Sequence, residues 1–224
     1  MSTNDMSTET RTGTDPVVAE VSAAMGEEQG LRERVRALVM RALAQRQWDS
    51  AEIRAEIREV ARLSLSGMGE GMGARGEQTG AALREAVHGL DEAVGRSVYA
   101  LRMALDETRS QGQHFAETDL RAMADQLTDL EADLLATLKQ GADRSQGWFK
   151  DNLHALHGHL SKNGTDTGMQ VKDTLDVLHN RLASAANGAG SALREQATEG
   201  RTRLFAVASG ILHGLADSLD QLRK

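Results

Sequence analysis

His154, His157 and His159 are the one close histidine cluster in the chain, and a metal ion would need two or more of them converging on a point. Histidines four apart on a helix do converge. Here His157 would border the apolar face of a helix, while His159 would point roughly 160° away around it. No convergent set forms, and we expect no metal site. Gly71-Met72-Gly73-Ala74-Arg75-Gly76 matches G-x-G-x-x-G letter for letter. That fingerprint cradles a pyrophosphate only at the end of a strand in a βαβ unit, and no β-type run precedes it. The chain has no cysteine, so thiolate chemistry, disulfides and Cys-based metal centres are excluded. No Ser/His/Asp nucleophile arrangement stands out, and the many carboxylates suit a solvated helical face. The expectation is a protein that is not an enzyme, with no catalytic, cofactor-binding or metal-ligating residues and no cofactor.

Arg32, Arg34, Arg36, Arg41 and Arg46 make 31–47 the most basic segment, and a turn and second helix after it superficially match helix-turn-helix geometry. The second segment, however, alternates acid and base through Glu52, Arg54, Glu56, Arg58, Glu59 and Arg62. Such a face does not favour a phosphate backbone. The whole chain carries a net charge of −7, from 26 Lys and Arg against 33 Asp and Glu. Neither part of it has the one-sided field that draws a protein to nucleic acid. A DNA-associated role through 31–47 therefore ranks last among the alternatives.

The elements that carry these residues follow from a repeat. From Leu83 onward, residues 11 apart form an apolar column: Leu83, Val94, Leu105, Ala116, Leu127, Leu138, Phe149, Leu160, Val171, Leu182, Leu193, Leu204 and Leu215. Eleven residues make three turns at about 3.67 residues per turn, so the column is a straight stripe along a helix. A second column, at a spacing of 22, is acidic throughout: Glu85, Glu107, Asp129, Asp151, Asp173, Glu195 and Asp217. It lies opposite the stripe. Taking positions 1, 5 and 8 of each 11-residue unit between Met72 and Leu222, 33 of 42 are Ala, Val, Leu, Ile, Met or Phe, so the apolar face is continuous. Among the exceptions only Arg109 and Glu131 bring charge into it. Phe149 belongs in the stripe, and Trp148 sits at its edge, where an amphipathic ring suits a packed interface or a lipid–water boundary.

The chain reads as all-α, with aromatic residues at 3 % and one proline, Pro16. Residues 1–16 read as a disordered N-terminus. Residues 17–66 read as a helical hairpin over about 20–47 and 50–66, with Asp49 and Glu52 as a capping box and Trp48 near the corner. The six glycines between 67 and 80 mark 67–82 as a hinge, each costing a helix about 1 kcal/mol relative to alanine. Residues 83–224 hold the repeat helices, either extended or folded back as a bundle or coiled coil. The corners of a folded-back form would fall at 141–147 and 163–168, where glycine and polar residues cluster. No apolar run reaches the roughly 18 residues of a membrane span, and no secretory signal is visible. A cytoplasmic protein, at most peripheral to a membrane or granule, is expected.

These proline-poor amphipathic units over 83–224 resemble the repeats of exchangeable apolipoproteins and, more loosely, synucleins, late-embryogenesis proteins and the phasins that coat polyester granules. The proline between units found in apolipoproteins is absent here. The resemblance implies a coat: the stripe of Leu83, Val94, Leu105, Leu127, Leu138, Phe149, Leu160, Val171, Leu182, Leu193, Leu204 and Leu215 would lie on lipid or a storage granule. The alternative is a structural assembly in which stripes bury against one another, by self-association or in a bundle. Small residues at Ala186, Ala189, Ala197, Gly200 and Ala208 favour the alternative, because they weaken lipid insertion yet let helices approach closely.

Overall fold

The computed structural model describes residues 14–27, 29–46, 52–73, 79–110, 115, 117–186 and 194–221. Among them the chain is all-α, with nine helices and no strand. In order these are α1 (Pro16–Ala24), α2 (Leu31–Ala44), α3 (Ile53–Gly73), α4 (Thr79–Ser110), α5 (Glu117–Thr128), α6 (Leu130–Arg144), α7 (Gly147–Asn163), α8 (Asp166–Ala186) and α9 (Arg194–Gln221). Helix α4 is the axis. At 1.5 Å per residue its 32 residues span roughly 48 Å, and α2, α8 and α9 all pack along it. Around this centre α1 lies on α3, α5 on α8, and α6 on α7 and α3. One apolar core runs from Val21 to Ala216 and joins the N-terminal helices to the repeat.

The N-terminal third departs from a two-helix hairpin. The chain breaks at Met25–Gly30, where Gly30 takes a left-handed conformation (φ 65°) that glycine adopts without strain. What reads as one helix over 20–47 is therefore two, and α1 turns away to pack on α3. Residues 1–13 of the expected disordered tail lie outside the described residues. Its last two belong to a helix start: the Asp15 carboxylate accepts from Val17 N at 2.9 Å, and Pro16 occupies the first turn, where its missing N–H costs nothing. Trp48 and Asp49 fall outside the described residues.

The expected hinge at 67–82 is helical where it is described. Residues 67–73 continue α3 and 79–82 begin α4, with 74–78 outside the described residues. A Cβ on Gly67 would stand 2.6 Å from the Val18 carbonyl oxygen, and one on Gly71 would stand 2.6 Å from both the Ser22 carbonyl oxygen and Met25 Cβ. These two glycines, four apart on one face, let α1 lie directly on the α3 backbone. Propensity counts only the cost of glycine in a helix, whereas at Gly67 and Gly71 contact with α1 offsets that cost.

In the repeat region the chain folds back, and two of the described corners are two residues long. Residues 145–146 separate α6 from α7, and 164–165 separate α7 from α8. Gly147 and Gly164 take positive φ at these corners. Between α5 and α6 the helix is interrupted at the single residue Asp129.

The α1–α3 contact can be tested directly. Gly67→Ala and Gly71→Ala should each lower stability by about 1–3 kcal/mol through overpacking, despite the better helix propensity of alanine. Urea denaturation would measure this. A flexible hinge would instead tolerate or gain from both changes.

Candidate functional site

The structure puts most of the predicted stripe inside. Leu83, Val94, Leu105, Leu127, Leu138, Leu160, Val171 and Leu204 are buried, and Phe149, Leu182 and Leu215 are half-buried. Leu193, like Ala116, lies outside the described residues. Of the small residues noted above, Ala208 is buried in the core. The acidic column lies outside: Glu85, Glu107, Asp129, Asp151, Asp173 and Asp217 are all exposed. Large hydrophobic side chains exposed among the described residues are Met103, Trp148 and Met169.

The start of α8 is held by carboxylates from two other helices. Asp91 of α4 is 2 % exposed, and its carboxylate accepts from the backbone N–H of Asp166 at 2.9 Å and of Thr167 at 3.1 Å. The Thr167 hydroxyl donates back to the Asp91 carbonyl at 3.1 Å. Glu131 of α6 accepts from the Thr165 hydroxyl at 2.7 Å, and that same hydroxyl oxygen accepts from Gly168 N at 2.8 Å. The first N–H groups of a helix have no partner within it, so these contacts satisfy them and place negative charge at the positive end of the helix dipole. A Cβ at Gly168 would push the Glu131 carboxylate out of this position. Glu131, one of the two charges that interrupt the stripe, is thus explained. Asp91 was missed, since it sits at the edge of the stripe, where an acid attracts no notice.

Ion pairs join the remaining helices. Glu92 on α4 takes Arg32 and Arg36 of α2, the latter at 2.9 Å. Asp133 on α6 takes the guanidinium of Arg54 on α3 through two hydrogen bonds, one of 2.9 Å. Arg102 reaches Asp173 at 3.3 Å, and Arg181 reaches Asp106 at 2.7 Å. Of the Arg-rich helix, Arg34 pairs with Glu27 and Arg46 with Glu56 at 3.4 Å. Its basic character is largely matched within the molecule.

Among the described residues no group of three or more His, Cys, Asp or Glu is placed to hold a metal ion. His154 lies 3.3 Å from Asp143, His157 is near Ser161 and His159 near Asn163, so the three point to different partners. No described helix is long and apolar enough to cross a membrane.

One cleft, of about 880 Å³, opens between the C-terminal half of α3, the end of α6 and the first turn of α7. Leu65, Trp148 and Phe149 line it together with Gly69, Gly73 and Gly141, and Arg62 and Arg144 stand in its wall. The Phe149 ring lies over Gly69, with Cε1 3.5 Å from where a Cβ would stand. Phe149 is thereby drawn partly out of the core.

Asp91 and Asp133 should respond to pH with opposite signs. Burial holds the Asp91 carboxyl above the ordinary aspartate range, against the pull of its backbone hydrogen bonds. The folded state then binds that proton more tightly than the unfolded chain, so stability from this group rises as pH falls towards about 4. Arg54 holds Asp133 below the ordinary range, so its contribution is present at neutral pH and is lost as pH falls through about 4 and below. In urea denaturation from pH 7 down to about 3, past the ordinary aspartate value, wild type should gain on Asp91→Asn as pH falls towards about 4 and lose ground to Asp133→Asn below it.

No curated protein and no solved structure matches the chain. A protein-family model described as a family of unknown function, DUF6781, matches residues 7–221. That match spans all nine described helices, and the chain belongs to this family.

Proposed function

We propose that this is a non-enzymatic helical-bundle protein whose repeated apolar stripe serves as its own core, a structural module that acts through its folded surface. The observation that carries the reading is the position of the stripe: eight of its twelve residues are buried against other helices of the same chain, while the acidic column faces out. A permanent coat would need the stripe outside. Withdrawing even a few of these leucines from the core costs roughly 1.5–3 kcal/mol each, so the closed bundle is the resting form. Stripe-driven self-association loses its motive, because the apolar face is already satisfied within one molecule.

A second reading, in which the bundle opens and lays the stripe on lipid or a storage granule, is favoured by one observation. The 11-residue phase runs unbroken through the two-residue corners at 145–146 and 164–165. An opened chain would therefore present a single continuous amphipathic face, as surface-binding helices do.

Circular dichroism and sedimentation of the full chain, with and without anionic vesicles, separate the two. The bundle reading expects a helical monomer when dilute, unchanged by vesicles. Vesicle binding with a change in helicity or near-ultraviolet signal would overturn it in favour of the coat. In the same bundle, Leu105→Ala should cost about 2–5 kcal/mol, and Asp217→Lys on the outer face only about 0.5 kcal/mol. Equal losses would mean that the outer face is also an interface.

A further inference from the structure

The glycines around the α3/α6/α7 cleft are not explained by packing. Gly67 and Gly71 face α1, where no side chain fits, but Gly69 and Gly73 alternate with them and face the cleft. Among the described residues a Cβ on Gly73 would meet nothing within 4 Å, and Cβ atoms on Gly69 and Gly141 would make ordinary contacts of 3.5 and 3.4 Å with Phe149 and Leu65. Alanine would fit at all three positions and would favour the helix. What the three glycines do together is keep the walls bare and the cleft open, at a volume within the roughly 300–1,000 Å³ range of small-molecule sites.

The lining has an apolar part and a charged part. Leu65, Phe149 and Trp148 form the apolar part, and Trp148 is left 40 % exposed, an expensive position for the largest side chain in the region. Of the two cations, Arg62 is engaged by both carboxylate oxygens of Glu59, at 2.7 and 2.8 Å. Arg144, at the end of α6, has no carboxylate partner among the described residues. Glu70, the one acid among the described lining residues, lies on the opposite wall, on α3. An anionic head is thus favoured at Arg144 and disfavoured near Glu70.

We propose that this cleft binds a small amphipathic carboxylate, with its hydrocarbon chain along Trp148, Phe149 and the glycine wall and its carboxylate on Arg144. The site does not require the stripe to leave the core, so it stands or falls separately from either reading of the bundle.

Calorimetric titration of the full chain with monomeric decanoate, and with decan-1-ol as the uncharged match, tests it. Wild type should bind decanoate saturably at one site. Arg144→Gln should weaken decanoate about tenfold and leave decanol unchanged, as expected for loss of one charge-assisted contact. Gly73→Leu should narrow the cleft and weaken both probes about tenfold, while urea denaturation shows stability equal to or above wild type, so that misfolding is not the cause. Trp148→Ala should weaken both probes alike. Absence of saturable binding to wild type, unchanged binding in folded Gly73→Leu, or an equal effect of Arg144→Gln on acid and alcohol would each overturn the proposal. Vesicles that compete with decanoate at the same site would overturn it as well, by placing the recognised group on a membrane.

Discussion

Helix α4 has to be covered on several sides at once, and the rest of the bundle is arranged to do this. Leu83, Val87, Leu90, Val94, Val98, Leu101 and Leu105 are all essentially inaccessible to solvent, as are Ala86, Ala93, Ala100 and Ala104 between them. One amphipathic partner covers one stripe. A helix buried this widely needs neighbours on different sides, which α2, α8 and α9 supply. Close approach is possible because α4 carries glycine where backbones meet. Gly89 lies against the Arg32 carbonyl of α2, and Gly95 against the Asp166–Thr167 peptide at the start of α8. The buried Asp91 lies between these two crossings in sequence and ties the second of them through its backbone hydrogen bonds.

Polar contacts in this bundle specify arrangement more than they supply stability. Surface ion pairs contribute about 0–1 kcal/mol each, so Arg102–Asp173 and Arg181–Asp106 add little to the burial of the core. Yet each joins α4 to α8 and so constrains how far one helix can slide along the other. The double hydrogen bond from Arg54 to Asp133 constrains α3 against α6 in the same way, with a planar fork that a lysine could not reproduce. The cap on α8 is of a different order. It is buried, and removing Asp91 would leave two backbone N–H groups short of partners, at about 1–3 kcal/mol each.

Glycine does two physically distinct jobs along α3, and the pair of them accounts for a segment that looks like a linker. On one face it removes side chains so that another backbone can come close. On the other it removes side chains so that nothing fills a cleft. Only the first is compelled by sterics, which is why the second points outward to a ligand.

The 11-residue period was enough to establish helices without strands, and to place the apolar stripe and the acidic column on opposite faces of them, because helical periodicity is a local property carried by each three-turn unit. The corners at 145–146 and 164–165 fall within the glycine and polar clusters at 141–147 and 163–168, where a folded-back chain is expected to turn. The period could not say whether the stripe faces lipid, another chain or itself, since all three satisfy the same pattern. Only the tertiary structure decided that it folds back on α4. The same limit explains the misread glycines and the unnoticed Asp91. Gly67 and Gly71 are breakers by propensity and contacts by geometry, and the role of Asp91 depends on two backbone N–H groups 75 and 76 residues further along the chain. A partner that distant leaves no mark on the local pattern, so neither the close approach nor the buried cap could be read before the helices were placed.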